Sequence, residues 1–419
     1  MDNNFVNWEI QNADLVGMEG STKKNIFIKN GKFDSIQDEL SNSDVALFDA
    51  KDLFLYPALI NSHDHMIASY SPKVGGKVKC NNWLSWDNEL KSSLVFSERQ
   101  TLDISDLYQL GAYRNLLGAT TTVMDHIPHF VNRSQIDGLL VRLVKDYTLS
   151  HSICSYSLGW GDGAEIEYSL AKQKKIPFVT HLGEGFDEES LRSFESLKKQ
   201  NALGEFSVLV HCLPFGAKEA KEIAQANANL VWCPSSNLHI FGKTTNIESF
   251  LDAKVNISLG TDLAMAGSEN MLAEMKLAHT LLQETKYKKN AAQILFQMVT
   301  ANAAQSLQLS KNLGSVNVGK AADFFLLKKK SENPYENLLL SEPEDIVLLA
   351  RDGRPVFGKG SLESLFQELQ VVSETIYLGK KDTENFQILG SPKNVMKKLQ
   401  SSLGYKKDLA FLPLVESIV

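Results

Sequence analysis

The chain changes its hydrophobic period twice. Up to about residue 56 short apolar runs alternate with polar residues at a strand-like period of two, and 25–33 divides into two strands around Asn30-Gly31, a pair suited to a hairpin turn with positive φ. Further short strands are expected at 45–48 and 53–55. From Pro57 onward, apolar strand-like runs alternate with amphipathic stretches of helical length. The runs fall at 58–60, 120–124, 141–144, 153–156, 177–180, 207–210, 229–232 and 255–259. Helices are expected at 103–117, with Gly118 as its C-terminal stop, and at 217–227 and 271–284. After about residue 310 the β period returns, with strands at 322–327 and 345–351 and a turn at Asp352-Gly353.

Eight strands alternating with helices predict an α/β fold, a (β/α)₈ TIM-type barrel over 57–309. Residues 1–56 and 310–370 are expected to form one small composite β-sandwich domain from both chain ends. Residues 371–419 carry no motif and read as a C-terminal extension, with a helix expected at 394–403. The spacing between the second and fifth strands is short for two full βα units, so one helix there is expected to be abbreviated.

Composition narrows the classes. The chain has 419 residues, 43% of them hydrophobic and 22% charged, with a formal net charge of −7. A mildly acidic chain lacks the basic footprint of a nucleic-acid or anionic-membrane binder. No apolar run approaches the roughly 20 residues that cross a bilayer, and the N-terminus has no signal-peptide pattern. Cys80, Cys154, Cys212 and Cys233 form no CxxC pair. Free thiols and a cytoplasmic location are therefore expected.

Chemistry gathers where strands end. His63 and His65 are two residues apart at the close of the first barrel strand, so both imidazoles can face one ion. His181 closes the fifth strand, His211 the sixth, and Asp262 follows the eighth. In such barrels the working groups sit at the C-terminal strand ends. One histidine there is unremarkable; the set is hard to attribute to chance. Glu184 follows His181 by three residues, where a carboxylate can lean over a bound ion. His151, His239 and His279 read as incidental, and Gly159–Gly163 as a mobile mouth loop.

Several runs then carry a family likeness. Tyr56-Pro57-Ala58-Leu59-Ile60-Asn61-Ser62-His63-Asp64-His65 resembles the opening motif of the amidohydrolase superfamily. Thr180–Glu184, Val210–Cys212, Cys233–Asn237 and Gly260–Asp262 resemble its branch of cytosine, guanine and adenosylhomocysteine deaminases and triazine chlorohydrolases. The resemblance spans about residues 20–360 and departs from the pattern at Ala58, at Asp64 and in the compressed third and fourth units. It implies one divalent metal, Zn²⁺ ahead of Fe²⁺, bound by His63, His65, His181 and Asp262, since no lysine stands near 155–160 to bridge a second ion. It further implies Glu184, His211 and Asp262 as the catalytic groups, moving protons while water activated by the metal attacks an sp² carbon. Trp83, His126 and Asn237 are candidate substrate contacts.

The expected function is a hydrolase for carbon–nitrogen bonds outside peptides, an aminohydrolase of a small nitrogen heterocycle. The alternatives are an amide, cyclic-amide or carbon–halogen hydrolase on the same site, and an inactive barrel that binds a ligand. The expected partner is a small molecule, without nucleic acid or membrane. Dimers are common among proteins of this resemblance, so a homodimer stays open although no residue pattern defines its interface.

Overall fold

The Asn30-Gly31 hairpin forms as expected, with φ of 51° and 74° at its two central residues. It joins β2 (Gly20–Lys29) to β3 (Lys32–Gln37), and β2 also pairs with β1 (Trp8–Gly17). β4 (Ala46–Asp49) and β5 (Leu53–Pro57) run parallel to successive parts of β1. The computed structural model describes residues 6–41, 44–378, 384–407, 409, 414 and 415.

From Leu59 the chain builds two parallel sheets. The first holds β6 (Leu59–Asp64), β7 (Thr120–Asp125) and β8 (Arg142–Leu143). The second holds β9 (Thr148–Ser152), β10 (Phe178–Leu182), β11 (Ser207–His211), β12 (Asn229–Trp232) and β13 (Asn256–Leu259), neighbouring in that order. The two sheets meet beyond β6 and β13, where Asp64 bridges to Asp262 and the Asp262 amide donates to the His63 carbonyl at 2.9 Å. Gly260 makes this approach feasible. A Cβ there would lie 2.6 Å from the His63 Cβ and 2.9 Å from its amide nitrogen.

The helices expected early, midway and late form as Ile104–Leu117, Ala217–Gln225 and Met271–Leu282. Asp103 caps the first by accepting from the Asp106 amide. The compression is greater than one shortened helix: His129–Asn132 is a single turn, and no helix separates β8 from β9. The fourth strand also lies earlier than expected, at Thr148–Ser152 rather than at 153–156. Its sequence, Thr-Leu-Ser-His-Ser, holds one large apolar residue, so periodicity favours the neighbouring Ile153–Tyr156. Backbone pairing with β10 and complete burial make it a strand regardless.

One apolar layer draws on most of these strands. Ile60, Met124, Leu149, Val179, Val208 and Val231 form a buried cluster with Ala303, Ala304 and Leu307. His151 and His181 follow Leu149 and Val179 by two residues on β9 and β10, so the strand period directs them to the same side.

The chain ends share a second structure. β14 (Phe324–Lys328) pairs antiparallel with β5, joining the two ends, and continues through β15 (Ile346–Arg351) and β16 (Arg354–Lys359). β18 (Asn385–Leu389), β17 (Ser373–Leu378) and β19 (Leu414–Val415) then extend it. The hydrogen bonding thus runs through one sheet of eleven strands, rather than two separate sheets. The motif-free stretch after 370 supplies three of them, and its helix runs Pro392–Leu403. Among the described residues no helix is long and apolar enough to cross a membrane.

Candidate metal centre and cavity

Side chains from five strand ends converge. The Nε2 of His63 lies 3.2 Å from the Nε2 of His181 and 3.5 Å from Oδ1 of Asp262. The Nε2 of His65 lies 3.6 Å from the same oxygen. His211 places its Nε2 3.9 Å from Oδ2 of Asp262 and 3.6 Å from Oε1 of Glu184, whose other oxygen is 3.9 Å from Nδ1 of His181. Three overlapping sets bring ligand atoms within 4.8 Å of one another: His63/His65/His126/His181, His63/His211/Asp262 and His181/Glu184/His211. Two of these residues need unusual backbone, with φ of 75° at His211 and 57° at Asp262. Non-glycine residues held there mark sites where the surrounding fold stores strain.

The protonation states suit a cation. Burial drives His63 down to about 4 and His151 to about 3, and holds His126 and His181 well below the ordinary histidine range. The neutral ring is the form that ligates. Burial opposes ionisation of Asp262, yet the His63 contact and the neighbouring imidazoles hold its carboxyl well below the usual range. Burial, then Asp262 and Asp87, push Glu184 well above it.

The donor set passes a further test. The Nε2 atoms of His63, His65 and His181 and a carboxylate oxygen of Asp262 turn towards one another, the arrangement of a shared ligand set. Two neutral imidazoles also set Nε2 against Nε2 at 3.2 Å, an arrangement that favours a proton or cation between them. These N and O donors fit a divalent transition metal.

A cavity of about 320 Å³ opens beside the cluster, lined by His65, His181, Glu184 and Asp262. Trp83, Trp86, Trp160 and Met265 supply apolar walls, and Asp87, Lys91 and Arg99 supply charge. Trp83 therefore lies where a substrate contact is expected. Asn237 does not line the cavity. It is buried on the helix Pro234–Phe241, and its Oδ1 lies 2.8 Å from Nδ1 of His211. His126 sits within the imidazole cluster rather than on the cavity wall, its ring 4.6 Å from that of His181 and its Nε2 3.1 Å from the Ser150 carbonyl.

His151 and Trp160 are among the cavity residues that escape the sequence reading. His151 lies between Trp83 and Trp160, with ring centroids at 4.5 Å and 4.7 Å. Its register two residues after Leu149 would have revealed it had β9 been located. Trp160 belongs to the glycine-rich loop, and its ring is 5.6 Å from that of His126. His239 and His279 stand outside, bonded to the Val74 carbonyl and to Gln283. The four cysteines are free.

The profile described as the amidohydrolase family matches residues 163–358. A 5′-deoxyadenosine deaminase of Methanococcus vannielii is 24% identical over 391 residues, covering 81% of this chain and 92% of that protein. A 5-methylthioadenosine/S-adenosylhomocysteine deaminase of Pyrococcus furiosus is 23% identical, covering 85% and 94%. Among solved structures, zinc-bound atrazine chlorohydrolase from Arthrobacter aurescens superposes with a TM-score of 0.71 at 16% identity, covering 94% of this chain and all of that one.

Proposed function

We infer that this chain belongs to the amidohydrolase family and is a metal-dependent aminohydrolase of a small nitrogen heterocycle. The carrying observation is the convergence of His63, His65, His181 and Asp262 from distant strands, with the Nε2 atoms of His63 and His181 set against each other at 3.2 Å. We read the eight parallel strands β6–β13 as one closed (β/α)₈ barrel, with this cluster at the C-terminal strand ends. Its substrate would be an adenosine-type amine, in keeping with the names of its relatives.

His63, His65, His181 and Asp262 would hold one divalent ion, with Zn²⁺ preferred. When bound, that ion supplies a Lewis acid that lowers the pKa of water towards ~7. The remaining work falls to the chain's own groups. Asn237 accepts from Nδ1–H of His211, which leaves the Nε2 lone pair of His211 to hold the attacking water. Asp262 takes the water proton on the oxygen facing His211. Glu184, reaching in beside His181 and His211, gives its proton to the ring nitrogen and recovers one from the hydroxyl of the adduct, while Asp262 passes the proton it took from water to the departing amine. A C–O bond forms, the C–N bond breaks and ammonia leaves. Trp83, His151 and Trp160 would form a slot for the flat ring.

Plasma emission analysis should find about one tightly held divalent ion per chain, and purified protein should release ammonia from aminopurine nucleosides. Glu184→Gln should lower kcat by about 10²–10⁴-fold and retain the ion. Ammonia release unchanged by both Glu184→Gln and Asp262→Ala would overturn the assignment. Hydrolysis of halogenated or amide heterocycles without ammonia from any amine would favour the carbon–halogen or amide reading.

A further inference from the structure

We propose that Arg99 reads an anionic substituent, a carboxylate or a phosphate, on the substrate. The inference rests on the aminohydrolase reading only for the kind of ring that occupies the cavity. Arg99 lies in the helix Leu94–Thr101 and lines the cavity shared with His181, Glu184 and Asp262. Its guanidinium sits over the Phe96 ring at 5.0 Å. Among the described residues it has no ion pair and no side-chain hydrogen bond.

The acids around it are already committed. Glu98, its neighbour in sequence, binds Lys407 Nζ at 2.6 Å and accepts from the Tyr405 hydroxyl. Asp87, which shares the cavity wall, binds Lys91 at 2.5 Å. The C-terminal segment thus withdraws the carboxylate closest in sequence to Arg99, while Asp87, whose charge still acts on Arg99 through space, makes its ion pair with Lys91 and none with Arg99. A half-buried guanidinium between satisfied ion pairs, facing an aromatic cavity, is arranged for an external anion. Its planar fork matches both carboxylate and phosphate oxygens. The ligand so defined has a flat amine-bearing ring for the tryptophan and histidine slot and a negative group for Arg99.

Binding can be measured apart from turnover, since Trp83, Trp86 and Trp160 line the cavity and report occupancy by intrinsic fluorescence. The probes are adenosine, adenosine-5′-carboxylic acid and adenosine 5′-monophosphate, titrated into the metal-loaded protein and into Arg99→Met and Arg99→Lys, each in a Glu184→Gln background that keeps the probes from being turned over. At least one anionic probe should bind about tenfold more tightly than adenosine, and the one preferred identifies the anion. Arg99→Met should bring that ratio near one, and Arg99→Lys should restore part of it; melting temperatures check that the variants fold. A ratio near one with Arg99 in place, a ratio unchanged in Arg99→Met, or no binding of either anionic probe overturns the proposal. Retained anion preference, with no ammonia released by the protein that keeps Glu184, would strike the proposed reaction and leave the role of Arg99 standing.

Discussion

The Nδ1 of His211 lies 2.8 Å from Oδ1 of Asn237, and this contact decides which face of the imidazole can act. The amide oxygen can only accept, so Nδ1 carries the proton and Nε2 presents its lone pair towards Glu184 and Asp262. Asn237→Ala should free the ring to adopt the other tautomer. We expect kcat to fall about 10–100-fold, the range found when partners behind a metal site are removed. KM should change little, because Asn237 does not reach the cavity. A raised KM at unchanged kcat would instead make Asn237 a substrate contact.

Asp64, between the two leading histidines, is fully buried and chelated by Arg114, whose Nη2 lies 2.6 Å from Oδ2. Asn115 donates to the same oxygen at 2.9 Å, and Asn61 links Asp64 to the Thr261 hydroxyl beside Asp262. The network holds β6 against the end of β13. Arg114→Met strands a buried carboxylate and should destabilise the protein by about 3–5 kcal/mol in urea unfolding. The double variant Asp64→Asn/Arg114→Met should recover part of that loss. A double variant no more stable than the single one would deny the pair this role.

Lys407 anchors the segment that follows the helix Pro392–Leu403. Its Nζ meets Glu98 at 2.6 Å and the Tyr70 carbonyl at 3.3 Å. Lys407→Met should cost about 1.5–3 kcal/mol, as for hydrogen bonds to charged groups. It should also increase protease cleavage within Leu94–Thr101, the helix that carries Arg99. Unaltered proteolysis would show that the helix stands without this anchor.

Glu274 makes stability depend on pH. It is fully buried in the helix Met271–Leu282 and accepts from the Ser235 amide at 2.9 Å. Burial pushes its carboxyl up to about 8 from an ordinary 4.5. The folded form therefore keeps a proton that the unfolded form has lost. The stabilisation is complete below the unfolded value and disappears as pH rises through the folded one. Between those limits the loss is on the order of 5 kcal/mol. Glu274→Gln keeps the acceptor and cannot ionise, so its unfolding free energy should vary much less from pH 5 to 8. An unchanged slope would place the pH dependence elsewhere.

Local pattern made much of the molecule legible. The Asn30-Gly31 turn, the helix 104–117 and most of β6–β13 follow from periodicity and from punctuation by glycine, proline and capping residues. Strand ends located His63, His65, His181, His211 and Asp262, because a two-residue period fixes which positions share a face. Long-range contact decided the rest. β9 is a strand because β10 pairs with it, although its residues are mostly polar, and that pairing brings His151 into the cavity. Asn237 meets His211 across 26 residues, and Lys407 meets Glu98 across more than three hundred. Such partners leave no local periodicity, since each depends on the path of the chain between them.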